Sequence, residues 1–483
     1  MPQPVYDLVV IGGGTAGLVS AAGAAGLGAR VALVERARLG GDCLNTGCVP
    51  SKALLRSARV VGEARAGAQV GVAGETRVDF QALMSRMRAR RADIAPHDAA
   101  ARLASLGIDV FFGEALFSGP RSIRVHANGS IASNRANASS APDEIRFRKA
   151  VIATGSRPAV PPVPGLSDVP FLTSETLFEI DRQPPALAVL GGGPIGCEMA
   201  QAFARLGTQV TLFEAAAQLL PNEDADAAAI VASSLAADGV DLRLRSRVTA
   251  VSAGGAGIRL QYEGGDVACD AILVATGRTP TIGGLSLEAA GVASDRDGIA
   301  VDDNLRTSNR HIFAAGDVAS RYKFTHAADA LARTVIQNAL FFGRKRASRI
   351  VIPWCTFTDP EVAHVGINSA AAARQGAATI TVALDEVDRA IVDEDTHGFV
   401  RVHHRAGRIL GATIVAPAAG ELIGTIAYAM QKGASLGDFA GVVFPYPTVA
   451  LALRQAADQY RRESLTPIVR RMLHYYFRAF RRS

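Results

Sequence analysis

Residues 6–17, YDLVVIGGGTAG, decide the fold of this chain. Residues 6–11 are apolar enough for a buried strand of a parallel sheet, and a run of small residues suited to a helix follows the turn. The turn matches the pattern G-x-G-x-x-G through Gly12, Gly14 and Gly17. Glu35 ends the next apolar run, which is the acidic position expected about 20 residues on. This combination is typical of a dinucleotide site, where backbone amides approach a pyrophosphate and the acid accepts from a ribose hydroxyl.

The same signature returns at residues 186–214, ALAVLGGGPIGCEMAQAFARLGTQVTLFE. The matching positions are Gly191, Gly193, Gly196 and, at the end of the second strand, Glu214. Two such units in one chain predict two nucleotides bound near each other. A flavin dinucleotide and a nicotinamide dinucleotide form the natural pair, because one passes hydride to the other.

Three further stretches support this organisation. Residues 151–158 (VIATGSRP) and 274–280 (VATGRTP) are short apolar strands ending in Thr-Gly, and we expect each to close one nucleotide-binding unit. Residues 311–319 (HIFAAGDVA) end a strand with Asp317, which can accept from a sugar hydroxyl, although alone it would be interpreted as a turn residue. The Asn/Ser/Ala-rich stretch between Phe117 and Arg146 predicts an exposed hairpin or loop. Beyond Ile350 the pattern predicts an antiparallel sheet with helices.

Composition excludes several classes of protein. The net charge of +6 is modest for 483 residues, and no basic stripe is interleaved with aromatics, so nucleic acid is not a predicted partner. Five cysteines form an odd and sparse set that fits a reducing compartment. Because the chain begins without a secretory signal and has no apolar run of about 18 or more residues, a cytoplasmic location is predicted.

Two of the five cysteines stand close together in residues 40–52, GGDCLNTGCVPSK. Cys43 and Cys48 would be about 7.5 Å apart by rise alone in a regular helix, which is too far for a disulfide. Gly47 and Pro50 supply an irregularity, and they place Cys48 at a helix N-terminus where a thiolate is favoured. A redox pair is the leading interpretation beside a flavin unit. Two inert buried cysteines and a zinc site are the alternatives.

On these residues the chain resembles the pyridine nucleotide-disulfide oxidoreductases, in particular the mercuric-reductase-like branch, over residues 5–460. The resemblance implies an α/β fold with two Rossmann-like dinucleotide-binding domains, for FAD and NAD(P)H, and a C-terminal α+β dimerisation domain of a homodimer. The implied limits are 1–155 with 276–345 for FAD, 156–275 for NAD(P)H, 346–460 for dimerisation, and 461–483 for a basic amphipathic helix.

The resemblance also implies the site residues. The catalytic set is Cys43, Cys48, Lys52, Glu198 and Tyr446. The FAD set is Gly12, Gly14, Gly17, Glu35, Lys52, Ala115, Thr154, Gly155, Ser156, Asp317, Thr325 and His326. The nicotinamide set is Gly191, Gly193, Gly196, Glu198, Glu214, Val248 and Gly277. No resident metal is implied.

In such proteins Cys48 would face the flavin, Cys43 would meet the substrate, and Lys52 would pair with Glu198 near the reactive edge of the flavin. One observation on composition agrees for the lysine. Only five of the 51 basic residues are lysines, so a lysine at position 52 suggests that the site requires a compact ammonium group. A solvated surface lysine is the alternative.

The resemblance breaks at residues 444–457, FPYPTVALALRQAA. Tyr446 stands where disulfide-reducing members carry an acid-base histidine, and Leu451 stands where a glutamate would orient it. A tyrosine with a pKa near 10 is a poor base at neutral pH, whereas a soft metal ion on two thiolates needs no proton relay. Tyrosine here favours the mercuric-reductase-like branch, yet that branch's C-terminal cysteine pair is missing.

We therefore expect an FAD-dependent NAD(P)H oxidoreductase that passes electrons through the Cys43–Cys48 disulfide to a small-molecule or soft-metal acceptor. Two alternatives stay open. One is a dihydrolipoamide dehydrogenase-like enzyme with a substituted acid-base. The other is a redox-sensing or docking flavoprotein. Glu214 repels a 2′-phosphate, and residues 215–226 contain no arginine that could clamp one, so NADH is expected over NADPH.

The tail, residues 467–483, predicts an amphipathic helix that opens at Pro467. At about 100° per residue its apolar face holds Val469, Met472, Leu473, Tyr476, Phe477 and Phe480. The opposite face holds Arg470, Arg471, His474, Arg478, Arg481 and Arg482. Two interpretations stand side by side. The helix lies on an anionic membrane, which would place the enzyme peripherally on the cytoplasmic membrane face, or it packs on the partner subunit.

Overall fold

The computed structural model describes residues 5–126, 143–255, 257–341, 343–463 and 465–481. They form two compact units. Unit 1 consists of Met1–Ala215 with Asp238–Ile350, and unit 2 consists of Ala216–Ala237 with Val351–Ser483. The mixed α/β class is the one predicted. The predicted four-part division of the chain stays a prediction.

The strands and α-helices of the two units are numbered here in chain order. The strands are β1 (Val5–Ile11), β2 (Val31–Glu35), β3 (Ile108–Phe112), β4 (Glu114–Gly119), β5 (Ser122–His126), β6 (Ile145–Ile152), β7 (Ser156–Pro158), β8 (Ala186–Leu190), β9 (Gln209–Glu214), β10 (Asp241–Leu244), β11 (Val248–Gly254), β12 (Gly257–Tyr262), β13 (Gly265–Cys269), β14 (Ala271–Val274), β15 (Arg278–Pro280), β16 (Ser294–Asp295), β17 (Gly298–Ile299), β18 (Ile312–Ala314), β19 (Pro353–Thr356), β20 (Glu361–Gly366), β21 (Ala378–Ala383), β22 (Phe399–Arg405) and β23 (Arg408–Ala416). The α-helices are α1 (Thr15–Gly26), α2 (Gly41–Asn45), α3 (Cys48–Ala66), α4 (Phe80–Ile94), α5 (Ala100–Ser105), α6 (Pro194–Arg205), α7 (Ala225–Ala237), α8 (Leu287–Ala290), α9 (Thr325–Leu340), α10 (Ser369–Gln375), α11 (Asp388–Val392), α12 (Ala419–Lys432), α13 (Leu451–Glu463) and α14 (Pro467–Phe480).

The first sheet of unit 1 is built around β1. This strand pairs in parallel with β2 and β6, β2 pairs in parallel with β3, and β6 pairs in parallel with β18. The strands β4 and β5 form an antiparallel hairpin against β6. The hairpin or loop predicted between Phe117 and Arg146 therefore begins as a hairpin, and its middle, 127–142, lies outside the described residues.

The second sheet of unit 1 is smaller and resembles the parallel part of the first sheet. Its order is β10-β9-β8-β14, and every pairing in it is parallel. An antiparallel layer, β11-β12-β13, follows β10. Apolar side chains of β8, β9 and β14 are buried between this layer and the helices, as the near-continuous apolar strands of the sequence predict.

The two glycine fingerprints have the same geometry. A Cβ atom added to Gly17 would lie 1.8 Å from the carbonyl oxygen of Gly12, and one added to Gly196 would lie 1.9 Å from that of Gly191. Each helix, α1 and α6, therefore begins in direct contact with the turn before it, which only glycine permits. The repeat predicted from the sequence is a repeat of backbone packing.

Unit 2 is an antiparallel sheet in the order β19-β20-β23-β22-β21, covered by α12 and α13. This confirms the antiparallel pattern predicted beyond Ile350. Asp224, just before α7, accepts hydrogen bonds from the backbone N–H and the hydroxyl of Ser369 at 2.8 and 2.7 Å, and from Arg401 at 3.1 Å. These bonds hold the segment Ala216–Ala237 to the sheet of unit 2.

The contact at Gly17 predicts a stability effect. The substitution Gly17→Ala should lower the free energy of unfolding by about 2 kcal/mol, because the new Cβ overlaps a backbone oxygen that cannot move away freely. Gly26→Ala in the same helix is the matched control, since nothing lies within 4 Å of its Cβ position, and it should leave stability unchanged or slightly higher. Urea unfolding followed by circular dichroism measures both variants. Equal midpoints for the two would contradict the packing argument.

Candidate functional site

The two cysteines of residues 40–52 lie on two separate helices. Cys43 is in the single turn of α2, and Cys48 is the first residue of α3. The break between them depends on Gly47, because a Cβ there would lie 2.9 Å from the carbonyl oxygen of Asp42 and 3.7 Å from the Cα of Cys43. The irregularity predicted from Gly47 and Pro50 is therefore present. It turns the backbone between α2 and α3 so that Cys48 lies beside Cys43.

The two thiols are free and differ in acidity. A hydrogen bond from Cys43 lowers the pKa of Cys48 to about 6, against the opposing effect of burial, and Thr325 and the Lys52 ammonium act in the same direction. The same hydrogen bond, together with burial, raises the pKa of Cys43 well above its ordinary value. At neutral pH Cys48 is therefore the thiolate, and Cys43 keeps its proton and donates it toward Cys48.

Three side chains surround the Cys48 sulfur. The hydroxyl of Thr325, at the start of α9, is 3.2 Å from the Cys48 Sγ. Lys52, one turn along α3, donates to the Glu198 carboxylate at 2.8 Å. The Glu198 side chain is only 6% exposed, whereas that of Lys52 is 37% exposed, so the lysine links a buried acid on α6 to the open side of the site. The roles of this ion pair beside a flavin stay predictions.

The first fingerprint fits the pyrophosphate and ribose of FAD. Gly14 caps α1 without any side-chain hydrogen bond to the helix, so the first N–H groups of the helix are available to an anion. Glu35 is buried at the end of β2 and accepts from the N–H groups of Gly13 and Ala37, both at 2.6 Å. Burial raises the pKa of Glu35, and these two hydrogen bonds oppose the rise.

The rest of the predicted FAD set lies in unit 1 with varied surroundings. Ser156 donates to Asp317 at 2.6 Å, and Thr154 donates to the carbonyl of Thr281 at 2.7 Å. Open space of at least 4 Å surrounds the Cβ position of Gly155, as a cofactor cradle requires. Two members behave differently: Ala115 points into the core beneath β4, and His326 stacks on the ring of Phe324.

The second fingerprint fits a nicotinamide dinucleotide in the same way. Gly193 caps α6 without a side-chain hydrogen bond, and neither Gly193 nor Gly277 has an atom within 4 Å of its Cβ position. The Glu214 carboxylate accepts from the N–H of Gly192 at 2.7 Å, which matches Glu35 and Gly13. Val248 is different, since it is buried in the core at the start of β11.

Tyr446 belongs to unit 2 and is 73% exposed. Its hydroxyl donates a hydrogen bond to the carboxylate of Asp388 at 2.9 Å. That carboxylate raises the pKa of Tyr446 above its ordinary value. Tyr446 is therefore a neutral hydroxyl at physiological pH and is held by an acid that stabilises its proton.

Three residues with contacts to predicted site residues or their surroundings were not predicted: Arg278, its partner Asp42, and Asp388. Arg278 donates from Nε to Ser156 at 2.7 Å, lies 3.6 Å from Asp317, and forms an ion pair with Asp42 beside the cysteines. The sequence did contain a pattern that could have indicated Arg278, because this residue directly follows the second Thr-Gly strand end, in VATGRTP. Asp388, the partner of Tyr446, has no local pattern in the sequence that predicts the contact.

No group of three or more His, Cys, Asp and Glu side chains suited to a metal ion occurs in the described part of the chain. The absence of a resident metal stays a prediction. Among the same residues, no helix has both the length and the hydrophobicity to cross a membrane.

Comparison with known proteins identifies the family. Residues 6–332 match the pyridine nucleotide-disulphide oxidoreductase family, and residues 352–457 match its dimerisation domain. The chain is 36% identical to a mercuric reductase of Streptomyces lividans over 94% of this chain and 96% of the relative. It is 33% identical to a dihydrolipoyl dehydrogenase of Haloferax volcanii over 94% and 95%.

A solved structure gives the same result. The HOCl-induced flavoprotein disulfide reductase RclA of Escherichia coli superposes with a TM-score of 0.82 at 31% identity, over 93% of this chain and 99% of that one. RclA has also been solved as a Cu(II) complex, with a TM-score of 0.81.

The chain belongs to the pyridine nucleotide-disulphide oxidoreductase family. It is an FAD-dependent pyridine nucleotide-disulfide oxidoreductase and uses FAD and a pyridine nucleotide. The matched dimerisation domain supports a homodimer. These findings confirm the predicted family, fold class and type of reaction.

The charges around Cys48 predict how its reactivity depends on pH. In the Cys43→Ser chain, which keeps a hydrogen-bond donor, alkylation of Cys48 by iodoacetamide should rise through a midpoint near pH 6. Lys52→Met should raise that midpoint by about one unit, because a cation that stabilises the thiolate is lost. Glu198→Gln should lower the midpoint, because it removes a nearby negative charge.

Mass spectrometry of the Cys48 peptide against pH measures these midpoints. Lys432→Met, at the end of α12 in unit 2, is the matched control and should leave the midpoint unchanged. A common midpoint in all four chains would show that the ion pair does not act on Cys48.

Proposed function

We propose that this chain is an NADH-dependent, mercuric-reductase-like enzyme whose acceptor is a soft metal ion bound by Cys43 and Cys48. The observation that carries the proposal is the Tyr446–Asp388 pair. Because the Asp388 carboxylate raises the pKa of Tyr446, this hydroxyl cannot carry protons at neutral pH as the family's histidine does. An acceptor that needs no proton relay fits such a site best.

The residues of unit 1 provide the redox centre of this proposal. When bound, FAD supplies the electron path between the nicotinamide and the sulfur pair. Reduction of a Cys43–Cys48 disulfide takes two electrons and one proton: the S–S bond breaks, Cys48 is left as the thiolate and Cys43 as the thiol. Lys52 and Thr325 stabilise the negative charge on Cys48. The reduced pair is therefore held with Cys48 as the thiolate and Cys43 as the thiol.

The reduced pair suits a soft cation. Thiolate sulfur is the ligand that soft metal ions prefer, and Cys48 supplies one thiolate without any change in protonation. Binding of the ion to Cys43 releases the thiol proton to water. Two further electrons from NADH then reduce one Hg(II) ion to the metal, or two Cu(II) ions bound in turn to Cu(I). The proton of NADH restores the Cys43 thiol when the ion leaves, and the sulfur pair remains reduced. No proton is delivered to the acceptor at any stage.

Two comparisons support a metal acceptor. The Streptomyces relative is named as a mercuric reductase, and RclA has been solved with Cu(II) bound. The dihydrolipoyl dehydrogenase of Haloferax supports the second candidate, a dithiol or disulfide substrate. The tyrosine at position 446 favours the first candidate, because thiol exchange with such a substrate requires a proton carrier.

The acceptor is tested by steady-state oxidation of NADH with Hg(II), Cu(II), lipoamide and a water-soluble quinone. Turnover with at least one of the two metal ions should exceed that with lipoamide by roughly tenfold or more, because only thiol exchange needs the missing base. Cys43→Ser should abolish metal-dependent turnover. Cys355→Ser, which changes a half-buried cysteine of unit 2, is the matched control and should retain it.

Tyr446→His separates the two candidates further. A histidine restores a group that titrates near neutrality, so lipoamide turnover should rise while metal turnover does not. If wild type already turns over lipoamide faster than either metal ion, or if quinone alone is reduced, the metal proposal is wrong.

The preference for NADH rests on Glu214. Its carboxylate stands at the end of β9 and accepts a hydrogen bond from the N–H of Gly192. At this position it would accept from the 2′-hydroxyl of a bound NADH and repel the 2′-phosphate of NADPH. We expect a higher kcat/KM for NADH than for NADPH, and we expect Glu214→Ala to reduce that ratio by roughly tenfold. Asp241→Asn on the neighbouring strand β10 is the control and should leave the ratio unchanged. A wild-type preference for NADPH would overturn this part of the proposal.

A further inference from the structure

The tail helix α14 lies beyond the region that matches the dimerisation domain, which ends at residue 457. The helix begins as the sequence predicts, with Pro467 in its first turn and the Thr466 hydroxyl accepting from the N–H of Val469 at 3.3 Å. It contains no buried residue. A well-capped helix without a buried face has no packing of its own to stabilise it, so a partner for that face is expected.

The apolar face of α14 is rich in large side chains. Met472 is 67% exposed, Tyr476 60%, and Phe480 69%. The rings of Tyr476 and Phe480 stack with their centroids 6.2 Å apart, which makes one continuous aromatic surface. Val469, Leu473 and Phe477 extend this surface and are also exposed.

The opposite face is strongly positive. After Glu463 the chain contains no Asp or Glu and carries five arginines at positions 470, 471, 478, 481 and 482. No carboxylate of the tail's own sequence therefore neutralises them. Charge complementarity selects an anionic surface as the occupant. A second copy of this chain carries a net charge of +6, so it offers these arginines no net attraction, and the matched dimerisation domain ends at residue 457, before the tail.

We propose that α14 binds the surface of an anionic lipid bilayer and holds the enzyme there reversibly. The helix has 14 residues, about 21 Å of length, which is too short to span the hydrocarbon core. It lies in the plane of the interface, with its aromatic surface among the acyl chains and its arginines at the headgroups. This property is independent of the acceptor and of the redox chemistry.

The experiment is co-sedimentation of the full FAD-loaded chain with vesicles. Phosphatidylglycerol–phosphatidylcholine vesicles are compared with pure phosphatidylcholine vesicles, at low and at high salt. We expect binding to the anionic vesicles that weakens with salt, and little binding to the neutral ones. Arg470→Gln/Arg471→Gln should weaken binding by roughly thirtyfold, and Phe477→Ser/Phe480→Ser by roughly tenfold or more.

Each double variant has a matched control. Arg148→Gln/Arg296→Gln removes the same charge from two exposed arginines of unit 1, whose side chains are 77% and 94% exposed. Val70→Ser/Val72→Ser removes two apolar side chains that are 64% and 66% exposed. Both controls should bind vesicles as wild type does, and all variants should keep NADH-dependent turnover.

Three results would overturn the proposal. One is no vesicle binding by wild type, and another is equal binding by wild type and both tail variants. The third is a tail effect on a different partner: weaker dimerisation in light scattering, or lost retention of single-stranded DNA, without any change in vesicle binding. Weaker dimerisation would show that the helix packs on the second subunit. Lost retention of single-stranded DNA would show that it binds nucleic acid.

Discussion

The contact between the backbones of Gly191 and Gly196 fixes where α6 begins, and the redox site depends on it. Glu198 follows two residues later, so its carboxylate has little freedom and lies buried against Lys52 on α3. Lys52 in turn acts on the Cys48 thiolate, one turn earlier on the same helix. The close packing of Gly191 against Gly196 therefore influences the acidity of Cys48 through the ion pair between Glu198 and Lys52. The equivalent contact between Gly12 and Gly17 fixes the start of α1 after β1 in the same way.

The sulfur pair is asymmetric for reasons that geometry supplies. Cys48 has a donor in Cys43, a hydroxyl in Thr325 and a nearby cation in Lys52, whereas Cys43 has burial and the negative charge of its neighbour. The sequence predicted an acidic Cys48 from its place at a helix N-terminus. The direction is the one predicted, but the largest cause is the hydrogen bond between the two thiols, which requires the break at Gly47.

The features that the sequence made predictable are local. Fingerprints, strand ends, the helix start at Cys48 and the tail helix each depend on a few consecutive residues, and each is present where the pattern placed it. The contacts that escaped prediction join distant segments. Arg278 reaches Asp42 across more than two hundred residues, and Asp388 meets Tyr446 from another element. Nothing in either local sequence specifies such a partner, since it is chosen by the fold.

Two groups, one in each unit, keep their protons at neutral pH. Cys43 retains its proton because the Cys48 thiolate accepts a hydrogen bond from it, and Tyr446 retains its proton because Asp388 does the same. Both hydroxyl and thiol are therefore donors at neutral pH, and neither is a base. Among the described residues, the histidines of unit 2 whose pKa is shifted, His364, His403 and His404, are all buried, and burial lowers their pKa. A substrate that must be deprotonated before it reacts finds no suitable group at Tyr446, whereas a cation that displaces the Cys43 proton needs none.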